Sequence, residues 1–159
     1  MATEILTLDA LADRLPRFAR LIGLDLGTKT IGVAVSDVER RIASPVETIR
    51  REKFVADVTK LAGIAKMQEA FALIIGLPLN MDGTEGPRAQ ATRSFVRNLD
   101  QHIKLPVIFW DERLSTAAVT RTLIEQDASR AKRAEVVDRM AAAYILQGAL
   151  DWLERLTRD

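Results

Sequence analysis

Apolar and polar residues change their spacing several times along the chain, and each change marks an element. In residues 1–20, MATEILTLDALADRLPRFAR, Leu8, Leu11 and Leu15 recur at helical spacing until Pro16, which predicts a short helix or arm. From Leu21 the runs become short and continuously apolar, 21–26 and then 30–36. Gly27, Thr28 and Lys29 join them in the pattern of a hairpin. A third strand is expected within 42–49. Helical spacing returns over 51–67, where Phe54, Val58, Leu61 and Ala65 share a face.

The run FALIIGLPL is apolar on both alternating faces, as in a parallel strand covered on each side. A loop, NMDGTEGP, leads to a helix expected over 88–103 with Phe95, Leu99 and Ile103 on its buried stripe. LPVIFW is a second buried strand, closed by Asp111, Glu112 and Arg113. A helix over 115–126, a basic loop DASRAKRAE and a last helix over 134–156 complete the chain. The order predicts an α/β fold, a mixed sheet with helices on both faces. Residues 1–20 form its arm and 21–156 its one domain.

Composition narrows the function classes. With 159 residues, 48% hydrophobic and 28% charged, the chain suits one folded core. Neither a long apolar span nor a secretory pattern is visible, so no membrane is expected and the cytoplasm is the default address. Cysteine is absent, which removes disulfides and thiolate chemistry, and the one histidine, His102, is expected to face solvent. A net charge of +1 means that any binding of nucleic acid depends on local clusters of cations.

Three carboxylates sit where a charge is costly. Asp25 lies between Leu24 and Leu26 in a buried strand, where it needs a metal or cation unless it caps the turn through the N–H groups of Thr28 or Lys29. Asp111 and Glu112 end a strand at the carboxyl edge, and alternation turns only one of them toward Asp25. Asp138 heads an apolar stripe of Ala141, Ala142, Ile145, Ala149 and Trp152, so it either joins the other two or favours its own helix dipole. Such an all-oxygen set suits Mg²⁺ or Mn²⁺ as cofactor, one or two ions, and a pair about 4 Å apart hydrolyses phosphodiesters.

Cations flank these positions. Lys29 follows the first strand, Arg113 follows Glu112, and Arg130, Lys132 and Arg133 precede Asp138; each is either a phosphate contact or a solvated surface charge. Asn80, in the loop after the buried strand, either meets phosphate beside a helix N-terminus or bonds locally in a turn built on Asp82 and Gly83.

The stretches GLDLGTKTIGVAVSD, IIGLPLNMDGTEGPRA, DERLST and VVDRMAAAYILQ, in this order over 21–152, resemble the YqgF or RuvX-like family of the RNase H-like superfamily. That resemblance implies an RNase H-like fold, three antiparallel strands joined by two parallel ones. It implies a nuclease for the 5′ end of precursor 16S ribosomal RNA in ribosome biogenesis, with branched DNA as the alternative substrate. Asp25, Glu112 and Asp138 match the family's metal ligands and catalytic residues, with Asp111 competing for the place of Glu112. Partners implied are precursor rRNA and ribosomal precursor particles, for a monomer or homodimer. A different class is an RNA-binding assembly factor with a weak site. The D-x-G-T turn also suits a phosphate loop for ATP, yet those enzymes close two domains and this chain has room for one.

Overall fold

The computed structural model describes residues 3–114 and 130–157, and the side chains of 3–114 and 140–157. The helix expected over 115–126 lies outside the described residues. Within them the order is α1 (Leu8–Arg14), β1 (Arg20–Leu26), β2 (Thr30–Ser36), β3 (Ala43–Arg50), α2 (Phe54–Met67), β4 (Ala70–Leu77), α3 (Pro87–Arg97), β5 (Val107–Asp111), a 3-10 turn (Glu112–Leu114) and α4 (Arg130–Thr157). The five strands run β3-β2-β1-β4-β5. The first three pair antiparallel, and β4 and β5 continue parallel to β1.

Continuous apolar runs in β1 and β4 follow from coverage on both sides. One face carries Leu24, Leu26, Ile31, Leu73 and Ile75 against Val58 and Leu61 of α2 and Phe95 and Val96 of α3. The other carries Leu21, Ala34, Ile74, Ile108 and Trp110 against Ala142, Ile145, Leu146 and Ala149 of α4. At β1 this helix presses on backbone: a Cβ on Gly23 would lie 2.7 Å from Leu146 Cβ and 2.9 Å from the Ala142 carbonyl oxygen.

Boundaries of three helices differ from the sequence expectation, and α2 begins at Phe54 rather than at 51. α3 ends at Arg97 rather than near Ile103, because Asn98 and Asp100 favour turns. Leu99 and Ile103 are buried all the same, since the turns that follow (Leu99 N–H to Val96 O, 3.1 Å; Ile103 N–H to Leu99 O, 2.8 Å) keep the helical spacing of side chains. The basic stretch expected as a loop before 134 is already helical from Arg130, consistent with the strong helix formers Ala131, Lys132, Arg133 and Ala134.

The arm belongs to the packing. Thr7 caps α1 by accepting from Ala10 N–H, and Leu11 is fully buried in the core beneath α4. Residues ahead of α1 run parallel to β5, with Leu6 N–H donating to Val107 O at 2.9 Å and Val107 N–H to Glu4 O at 2.8 Å. That pairing covers a sheet edge otherwise open to other chains. No described helix is long and apolar enough to cross a membrane.

Candidate active site

β1, β4 and β5 end side by side, and open parallel sheets gather ligands at this edge. Alternation along β1 puts Asp25 on the face of Gly23, which is the α4 face, while Leu24 and Leu26 take the other. The residue is only 4% exposed. Its neighbour on β2 is Gly32, and its neighbour on β4, one step beyond the paired Leu24 and Ile75, is Gly76. Asp25 therefore stands between two residues without side chains. Isolated glycines inside strand runs mark places where a ligand or another group comes close, and TIGVAVS and LIIGLPL carry that signal in the sequence.

The group that comes close to Gly76 is Glu112. A Cβ on Gly76 would sit 3.1 Å from Glu112 Oε1 and 3.2 Å from Cδ. Neighbouring strands lie about 4.8 Å apart, so the Asp25 and Glu112 carboxylates share one small area of the α4 face. Asp111 follows the parity of Phe109, on the opposite face. There its carboxylate is forked by Arg113, with Nη2 to Oδ2 at 2.7 Å and Nε to Oδ1 at 3.0 Å. The side-chain bonds from Arg113 hold Asp111 below the usual aspartate range, partly opposed by burial.

Asp138 is in α4, one turn before Ala142, whose carbonyl faces Gly23; its backbone lies toward the Asp25 end of the sheet. Its side chain, and those of Arg130, Lys132 and Arg133 in the first turns of α4, lie outside the described residues. Within these, no three metal-binding side chains cluster. Asp25 and Glu112 supply oxygen donors alone, a set that fits Mg²⁺ or Mn²⁺ and requires further ligands from another element or from water.

The expected substrate contacts divide. Lys29 is exposed at the tip of the hairpin, whose turn is closed by Gly27 N–H to Thr30 O at 2.9 Å. Asn80 bonds within its own loop, Nδ2 donating to Thr84 Oγ1 at 2.9 Å, while Asp82 Oδ1 accepts from Thr84 N–H and Oγ1–H. Gly83 holds φ +87, a conformation that favours glycine. Arg113 ties this loop down, Nη1 donating to Met81 O at 3.3 Å. Sequence reasoning missed Arg51 and Arg88, which brace the hairpin from behind: Arg51 Nη1 donates to Gly27 O at 2.7 Å and Arg88 Nη2 to Leu26 O at 3.3 Å. It also missed Asp57, 1% exposed, which accepts from Glu52 N–H at 2.9 Å and faces Arg51 Nε at 3.9 Å.

Solved structures share this architecture. Thermus thermophilus RuvC aligns with a TM-score of 0.51 at 12% identity, over 86% of this chain and 95% of the other. RuvC of T. thermophilus in complex with a Holliday junction substrate aligns at 0.50 and 13%, over 80% and 91%. At such identity the likeness is one of fold, the RNase H-like fold of RuvC. In sequence, a protein of Methylocella silvestris named "Putative pre-16S rRNA nuclease" is 64% identical over all of this chain and 99% of its own. A protein of the same name from Rhizobium meliloti is 58% identical, over 97% and 93%. The family model described as RuvX, Holliday junction resolvase, matches residues 19–152. With the match spanning β1 through most of α4, the chain belongs to the RuvX family.

Proposed function

We propose that this chain is a metal-dependent nuclease that processes the 5′ end of precursor 16S ribosomal RNA. The observation that carries the reading is the pair Asp25 and Glu112, brought together on one face of the sheet beside Gly32 and Gly76. Both carboxylates open on the same face of the sheet, and together they offer the oxygen-only donors that a hard divalent cation takes. The name borne by relatives 58–64% identical supports rRNA as the substrate. Branched DNA is the second reading, favoured by the family's description as a Holliday junction resolvase.

Asp25 and Glu112 would hold the ion, with Asp138 from α4 as the third ligand. When bound, Mg²⁺ or Mn²⁺ activates a water and stabilises the leaving oxygen of a phosphodiester. The protein's own work is placement. Asp25 is fixed by its strand, and Glu112 by the 3-10 turn that follows β5. Lys29 at the hairpin tip and Arg130, Lys132 and Arg133 at the start of α4 neutralise flanking phosphates. Arg113 acts on the loop it holds, through Asp111 and Met81.

The test is cleavage of an RNA carrying the 5′ extension of 16S rRNA, with Mg²⁺ or Mn²⁺ and with chelator. Asp25→Asn, Glu112→Gln and Asp138→Asn are each expected to lose cleavage and keep RNA binding. Preferential cutting of four-way DNA junctions selects the second reading. RNA binding without turnover in the wild type, unchanged by Asp25→Asn, identifies a binding factor instead.

A further inference from the structure

On the far side of the hairpin from Asp25, toward α2 and α3, lies a notch lined by Gly27, Thr28, Arg51, Arg88, Thr92 and Phe95. Its volume is about 60 Å³, room for one small group and too little for a base. Both guanidinium groups are held by the hairpin they border, through the carbonyls of Gly27 and Leu26. Arg51 also lies over the Phe95 ring, 5.6 Å from its centroid. The fork of Arg51 is thus set before anything binds, which lowers the cost of ordering it.

Charge at this end is unbalanced. Arg51 faces a single carboxylate, Asp57, at 3.9 Å, and Arg88 forms no ion pair among the described residues. Exposed Lys29 and Lys53, at the hairpin tip and the start of α2, are likewise without ion pairs there. In a chain of net charge +1, this is a local concentration of cations on one side of the strand end that carries Asp25. Arginine forks suit phosphate oxygens.

We propose that the notch between the hairpin turn and α3 holds a backbone phosphate of the nucleic-acid strand, through Arg51 and Arg88. The strand then crosses the hairpin tip past Lys29, with one phosphate anchored behind the turn and another at Asp25 and Glu112. This deepens the nuclease reading and rests on it for the identity of the strand. The contact is with phosphate, so it positions the strand without reading its sequence.

Binding separates the two ideas, because it is measured without cleavage. In the Asp25→Asn protein, which keeps the strand intact, the affinity for a single-stranded RNA is followed from low to high salt. Arg88→Ala is expected to weaken binding several-fold and to flatten the slope of log K against log salt by about 0.7, one phosphate contact on a single strand. Arg88→Lys restores most of the slope, and Lys66→Gln, at the far end of α2, leaves it unchanged. The same loss is expected with DNA of the same sequence. An unchanged slope in Arg88→Ala with melting temperature preserved overturns the notch, as does a loss confined to RNA or a wild type that binds no strand. A wild type that binds with this dependence on Arg88 but cleaves no RNA with Mg²⁺ or Mn²⁺ overturns the nuclease reading alone.

Discussion

Glu112 folds its carboxylate over Gly76, so that the space a β-carbon would take on β4 lies 3.1 Å from Oε1. Alanine at this position also meets Ile145 Cδ1 at 2.5 Å, the far end of a flexible side chain that can turn aside. Gly76→Ala is therefore expected to displace Glu112 more than it unfolds the sheet. Misplacement of a catalytic group by an ångström can cost about 100-fold, whereas repacking of one isoleucine end costs about 1–3 kcal/mol. Single-turnover cleavage rates beside urea midpoints check it. A stability loss with the rate preserved would separate Gly76 from the site.

Asp111 and Glu112 are adjacent in sequence and lie on opposite faces of the sheet. Asp111→Asn removes the charge and one of the two acceptor oxygens of the Arg113 fork, and is expected to loosen the 80–84 loop with a modest loss of rate. Glu112→Gln is expected to abolish cleavage and leave the melting temperature without metal close to that of the wild type, since glutamine keeps the shape of the side chain without its charge. Rates and melting curves for both variants decide it, and the reverse ranking would move the ligand to Asp111.

Strand alternation alone showed that only one of these two residues could join Asp25, but not which. The choice follows from the parity of β5, in which Trp110 packs under α4 and Phe109 under α3. LPVIFW is apolar throughout, so its sequence holds no sign of which face is which. The strands around Asp25 were legible because their runs are short and bounded by Gly, Pro or charge. The pairing of residues 4–6 with β5 was not, because three residues carry no period and their partner lies a hundred positions away. The brace of Arg51 and Arg88 was equally hidden: what distinguishes them is the backbone carbonyl each reaches.

The arm is expected to be part of the stable core. Leu11 is fully buried against the last turns of α4, and truncation to alanine in such a site costs about 2–5 kcal/mol. Leu11→Ala should lower the urea midpoint accordingly. Deleting residues 1–7 should do so too, and in addition expose the β5 edge and promote self-association visible by light scattering. A deletion variant as stable as the full chain and of the same oligomeric state would show that the edge needs no cover.

Acid should open the 80–86 loop before it unfolds the sheet. Asp82 is held below the usual range by the Thr84 hydroxyl and N–H, Glu85 by the bonds from Arg93, and Asp111 by those from Arg113. In each case the folded pKa is lowered, so the stabilisation is fully present above the ordinary carboxylate range of about 4 and is lost as pH falls through the lowered values. Asp82 and Glu85 are solvent-exposed, so the effect is local and weakens with salt. Amide exchange or proteolysis at Met81–Gly86, compared between pH 6 and pH 3, is expected to accelerate while the amides of β1 and β4 stay protected. Asp111→Asn should show the same loosening of this loop already at pH 6, and with it the added effect of acid should shrink. If loop and strands lose protection together, the three carboxylates stabilise the whole fold and not the loop.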